Sequence, residues 1–152
     1  MTKHYIRVDE NNNIIKVFSD EFEQPENSDI LLRDNATRQF YFEFTGGERL
    51  YNPSLKDNNN CYLYAYDGKK VLKKQESEIK SSIEYKESKF KELRAKRNGF
   101  LNRCDVVYCN ADRWENYTEE EKETIRNYKQ KLRDLPEQNE NPDLIEFPEL
   151  VV

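Results

Sequence analysis

Carboxylates, hydroxyls and thiols are plentiful in this chain, but it has only one histidine, His4. Ser19, Ser28 and Ser54 therefore have at most one imidazole to draw on, and a serine becomes a nucleophile only beside a base that takes its proton. Asp20, Glu21 and Glu23 are close enough to pair for acid/base work or to hold a divalent cation. Such acidic clusters on a loop are more often solvated surface, and no catalytic residue is assigned. Cys61, Cys104 and Cys109 are odd in number, which argues against a disulfide framework, and a reducing cytosol would keep them as thiols. Cys104 and Cys109 have four residues between them, yet a zinc site needs four well-placed ligands and His4 lies far off in sequence. Small buried hydrophobes are the reading for these cysteines. With only four glycines the chain has no Gly-rich loop to cradle a phosphate. No metal and no cofactor is expected, and the chain reads as non-enzymatic.

Charge directs the next step. The net charge is -5, yet residues 73–97 carry nine Lys or Arg against five Glu, so a basic helix stands between acidic flanks. Its charges are interleaved, and Tyr85 and Phe90 are its only aromatic residues, so a solvated face is preferred over a nucleic-acid interface. No nucleic acid is expected as a partner, although a regulator that binds nucleic acid through the basic helix 73–97 is kept as an alternative. Residues 1–8 lack the apolar run of a signal peptide, and no 18 consecutive apolar residues occur that could span a bilayer. No membrane partner is expected, and the cytoplasm is the expected location. Leu, Ile, Val and Phe together make up about 23% of the chain, close to the level at which a core becomes thin.

The elements that would position these residues fall into an α+β chain, with a small antiparallel β domain over residues 1–74 and a helical part over 75–152. Tyr5, Ile6 and Val8 face Ile14, Ile15, Val17 and Phe18 across Asp9-Glu10-Asn11-Asn12-Asn13, a hairpin signal. Further strands are expected at 30–33, 39–44 and 62–66, with Asp67-Gly68 turning into residues 70–72. Segments 19–29 and 45–60 read as loops. From Gln75 the period changes. Ile79, Ile83, Lys86, Phe90, Leu93, Arg97, Phe100 and Cys104 step by fours and threes, which predicts one helix of about 30 residues with a stripe that must pack on another helix. A second helix opens on Thr118 with Glu121 three residues on, a capping box. It carries Ile125, Tyr128, Leu132 and Leu135 on one face and stops at Pro136. The two helices are expected to form a helical hairpin across a linker at 105–117. Prolines at 136, 142 and 148 predict an extended tail, its apolar residues either docked on the hairpin or lent to a partner's sheet edge.

Residues 97–148 resemble the C-terminal module of bacteriophage tail assembly chaperones, the tail fibre assembly proteins. Arg97-Asn98-Gly99-Phe100-Leu101 looks like that family's Arg followed by an apolar pair, and Cys104-Asp105-Val106 like its small residue, Asp and aromatic. Tyr128-Lys129-Gln130-Lys131-Leu132-Arg133-Asp134-Leu135-Pro136 is similar to its Tyr-Arg-Gln, spacer, Leu-Arg-Asp-Leu and Pro. Phe147-Pro148 stands where the family ends in Trp-Pro, and Val106 where it has Trp. The N-terminal hairpin is similar, more loosely, to small tail-cluster proteins in prophages of Gram-positive bacteria. The resemblance implies a protein that binds a phage tail fibre or receptor-binding protein and aids its folding or attachment, in the cytoplasm of an infected or lysogenic host. It implies Trp114, Tyr117, Tyr128 and Phe147 as aromatic anchors, with Arg133 and Asp134 facing the partner or closing the helix end. From spacing alone, Tyr128, Leu132 and Leu135 belong to the hairpin core. Self-association through the long helix is a further expectation, and a permanent subunit of the tail, baseplate or fibre connector, present in the virion tail, is the alternative function.

Overall fold

Apolar residues alternate with polar ones on either side of Asp9, and this produces the first hairpin of the protein. In the computed structural model, which describes residues 1–152, β1 (Thr2–Val8) is the centre of a three-stranded antiparallel sheet, flanked by β2 (Ile14–Ser19) and β3 (Ile30–Ala36). The Asp9 carboxylate accepts from the main-chain N–H groups of Asn11 and Asn13 and from the Asn13 side chain, all at 2.9 Å. Asn12 takes a φ of 64° in that turn, a conformation asparagine tolerates better than most residues. The loop at 20–29 is pinned to β1 by a two-pronged contact: Arg7 Nε and Nη2 donate to Asp29 at 2.7 and 2.9 Å. That guanidinium holds the Asp29 carboxyl below the usual carboxylate range.

Two further hairpins complete the first of two units, Met1–Tyr85. β4 (Tyr41–Glu43) pairs with β5 (Arg49–Tyr51), and β6 (Tyr64–Tyr66) with β7 (Val71–Lys73). The segment 45–60, expected to be loop throughout, thus contains a strand. Gly46 and Gly47, at φ of 92° and 82°, supply the left-handed backbone that closes this hairpin, and Leu50 and Tyr51 of β5 remain exposed, so no hydrophobic alternation announces it. The core gathers Ile6, Ile14, Phe40, Phe42, Tyr64 and Val71. Beside it His4 is fully buried, its Nε2 2.7 Å from the Thr37 carbonyl oxygen and its ring 4.8 Å from that of Phe40. Burial lowers the pKa of this imidazole. With Nε2 donating to Thr37, Nδ1 is free to accept from Arg33 Nη1 at 3.3 Å, the arrangement of a neutral ring.

The helix expected to run unbroken from Gln75 is two helices, α1 (Glu76–Lys80) and α2 (Ile83–Val107). Serine chemistry makes the break. Ser81 and Ser82 hydroxyls donate back to the Glu78 and Ile79 carbonyls, and Ser82 Oγ then accepts the Tyr85 N–H at 3.2 Å, capping the new helix start. The periodic stripe loses its first members as a result, and Ile83 is 71% exposed.

The second unit, Lys86–Val152, contains most of α2, then α3 (Ala111–Asn116) and α4 (Glu119–Asp134). α3 occupies the stretch expected to be linker. Asn110 caps it by accepting from Arg113 N at 3.1 Å, and one and a half turns are too short to show an apolar period. α4 starts as its sequence dictates: Thr118 Oγ1 accepts from Glu121 N, and the Glu121 carboxylate accepts from Thr118 N. Leu93 from early in α2 shares a core with Leu132 of α4 and Leu135 just beyond its end, while Asp105 from late in α2 pairs with Lys129. The two helices therefore run antiparallel as a hairpin. The tail is extended only in part, because Leu135–Glu137 and Pro142–Leu144 each form a short 3₁₀ turn. Proline is accepted in both because it stands in the first turn, where its missing N–H costs nothing.

Candidate partner-binding site

The helical unit presents its apolar stripes unevenly, and the residue between them decides where a surface opens. Ile125 and Leu132 are fully buried and Leu135 nearly so. Tyr128, on the same face of α4, is only half-buried, as are Phe100 and Phe147 packed at the margin of the core. Phe147 arrives from the tail and sets its ring 5.4 Å from Phe100, with Lys96 Nζ 4.6 Å from the Phe147 ring centre. The result is a concavity of about 460 Å³ lined by Phe100, Arg103, Cys104, Tyr108, Tyr128 and Phe147, with Pro148–Val151 forming its outer wall.

Its chemistry is apolar and aromatic with polar tips. Burial pushes the Cys104 thiol up to about 11, and neighbouring Cys109 adds to the shift; Cys104 is therefore no nucleophile at neutral pH. The Tyr128 hydroxyl is likewise held above its ordinary value, first by burial. Neither group is poised for proton transfer near pH 7. Rings with a few donors around an open pocket are suited to taking up a side chain of another polypeptide.

The six anchors named from the sequence do not form one patch. Tyr128 and Phe147 line the concavity just described. Trp114 sits apart, on α3 against α4, with Arg126 Cζ and Lys122 Nζ 5.4 and 5.7 Å from its ring and Tyr117 at 6.4 Å. It lines a smaller hollow of about 270 Å³ with Cys109, Ile125, Arg126 and Lys129. Asp134 accepts from Gln130 Nε2 at 2.9 Å and borders a third hollow with Leu135, Gln138, Phe147 and Pro148. Arg133 is exposed at the helix end. Sequence reasoning missed Tyr108 and Arg103 as lining residues and placed Phe100 only in the core. Arg103 was legible, falling seven residues after Lys96 and three after Phe100 on one helical face; Tyr108 was not, because it follows the helix end.

In the first unit a separate groove of about 550 Å³ is lined by Val17, Phe18, Phe22, Phe40 and Pro53. The carboxylates weighed for acid/base work lie near it and are engaged otherwise: Asp20 accepts from Lys3 N, Glu21 pairs with Arg38 and Glu23 with Lys16. No helix is long and apolar enough to cross a membrane.

No curated protein and no solved structure matches the chain. The helical unit does carry a match, and it covers α2 from Phe90 onward, all of α4, nearly all of the aromatic concavity and nearly the whole tail: residues 90–150 match the family described as phage tail assembly chaperone protein.

Proposed function

We propose that this protein is a non-enzymatic phage tail assembly chaperone that binds a tail fibre or receptor-binding protein and aids its folding or attachment. What carries the reading is a coincidence of position. The stretch matched to the chaperone family, 90–150, is the stretch that builds the open aromatic concavity of Phe100, Tyr108, Tyr128 and Phe147. Partly exposed rings in a concavity gain most when a partner's apolar side chain excludes water from them, which is the need of a factor that shields a folding chain. The cytoplasm of an infected or lysogenic bacterium is where such work takes place.

A second reading, a permanent subunit of the tail or baseplate that also enters the virion, draws support from the first unit. Phe22, Leu31, Leu50 and Tyr51 are exposed there at 68, 45, 38 and 43%, apolar surface that lateral packing in a ring would cover. Quantitative mass spectrometry of purified particles, beside a pull-down from the lysate, separates the two. Capture of a fibre protein together with absence from particles is the expected result. Stoichiometric presence in particles supports the subunit, and failure to capture any tail protein removes the chaperone reading.

A further inference from the structure

Charge is not spread evenly along α2. Between Leu93 and Cys104 stand Arg94, Lys96, Arg97 and Arg103 with no acidic residue among them, and none of the four makes an ion pair. In a chain of net charge -5 this is a local reversal of sign. Lys96, Phe100 and Arg103 are four and three residues apart, so they lie along one helical face. Lys96 covers the Phe147 ring and Arg103 borders the concavity. A cation at each end of an aromatic stripe, with neither neutralised, is complementary to an acidic ligand that also carries apolar groups.

The other wall of the concavity is incomplete in a different way. Phe147–Val152 form no regular element, and after Glu146 N, which donates to the Gln138 side chain at 3.0 Å, no further main-chain group of the tail is hydrogen-bonded within the chain. Leu150-Val151-Val152 is a β-forming sequence; Val151 and Val152 are 82 and 50% exposed. A β-forming run whose N–H and C=O groups have no partner within the chain is a template for pairing with another strand.

We infer that the partner segment this surface takes is an acidic, extended stretch of a phage tail protein. It lies along Lys96, Phe100 and Arg103, places an apolar side chain in the concavity, and pairs its main chain with residues 149–152. This rests on the chaperone reading above and specifies the recognition mode. A nucleic acid would use the same cations, but the opposite wall, Pro148–Val151, offers its phosphates only aliphatic groups and the carboxylate of Glu149. Glu149, across the rim, forms no ion pair with Arg103 and gives the partner's acidic residues a reason to sit toward α2.

The test uses the full chain and a fluorescein-labelled peptide alternating valine and threonine with central aspartates, beside a twin with lysines in their place. Fluorescence anisotropy should show the acidic peptide binding. Reversal with Lys96→Glu and Arg103→Glu should weaken it about tenfold, since rim charges contribute up to about fivefold each, and the lysine twin should regain that loss on the reversed variant. Leu150→Pro and Val151→Pro, introduced singly, remove an N–H that has no partner within the chain, so thermal unfolding should not move. Because N–H groups of a strand point alternately to its two sides, one of the two should weaken binding far more than the other. Equal binding by the charge-reversed chain, equal effects of both prolines, no binding of either peptide, or preferential binding of single-stranded oligonucleotide each overturns the inference. Concentration-dependent dimerisation abolished by the same variants does so too, by assigning the surface to a second copy. Tail-protein capture that survives charge reversal leaves the chaperone reading standing and removes only this recognition mode; absence of capture by the unaltered chain removes the chaperone reading itself.

Discussion

Replacing Leu132 by alanine tests the claim that the helical unit stands on a small core. Leu132 is fully buried and shares its cluster with only two other buried residues, Leu93 and Leu135. The substitution removes three carbon groups at about 0.8 kcal/mol each, or about 2.4 kcal/mol of transfer free energy. A cavity that α2 and the tail fill only in part adds to this, giving about 3 kcal/mol within the usual range of about 2–5 for leucine to alanine. A unit of this size rarely has more than about 3–5 kcal/mol in hand, so the variant should sit near its unfolding midpoint at room temperature. At about 4–8 °C per kcal/mol, its thermal transition should fall by about 12–24 °C. Trp114, the only tryptophan, lies against Lys122 and Arg126 of α4, so urea titration followed by tryptophan emission reads this unit directly. Leu144→Ala is the control, being 62% exposed and expected within about 0.5 kcal/mol of the parent. A loss below about 1 kcal/mol for Leu132→Ala, or one no larger than the control's, would refute the packing argument.

Thr118→Ala removes half of a reciprocal cap and should cost about 1 kcal/mol, seen as an earlier urea midpoint by the same emission; an unchanged midpoint would mean that the last turn of α3 already fixes the helix start. Gly99 is within α2 with open space where a Cβ would stand and no positive φ, so Gly99→Ala should stabilise by up to about 1 kcal/mol, and a destabilised variant would contradict the open surroundings. His4 is held neutral by burial, with a folded-state pKa below 6.5. Its contribution should be complete above pH 6.5, fall as pH drops through the depressed value, and level off below it. Urea midpoints by tyrosine circular dichroism should therefore decline more steeply from pH 7 to 5 in the parent than in His4→Gln, and parallel curves would dismiss the buried imidazole as the cause.

Much of this architecture was written in short-range chemistry. The Asp9 turn, the Asp67-Gly68 turn and the Thr118 and Glu121 cap each depend on residues within a few positions of one another, and all three formed where the sequence placed them. What escaped were features whose signal is not periodic. β5 has no buried member, α3 is too short for a period, and the break at Ser81-Ser82 depends on two hydroxyls competing with the helix ladder. The candidate site follows the same division. Tyr128 and Leu132 share one stripe in the sequence, but only the structure separates them into a partly exposed lining residue and a fully buried one. The tail brings Phe147 back onto Phe100 from far along the chain, and no local pattern encodes that return.

The hairpins of the first unit set an order in which it can take shape. β1 and β2 pair across one short turn, β4 with β5 and β6 with β7 likewise, so most strand pairs close as soon as a few residues have been made. Contacts of this kind fold quickly. Ile6 and Ile14 nevertheless reach full burial only when Tyr64 and Val71 arrive to cover them, so the core stays open until the last hairpin leaves the ribosome. The helical unit, whose core runs from Leu93 to Phe147, begins its own assembly only afterward. A nascent chain with residues 1–74 outside the ribosome and residues 90–150 still to emerge would therefore hold every strand of the β unit but none of the rings of the aromatic concavity, so the proposed binding surface is the last feature the chain acquires.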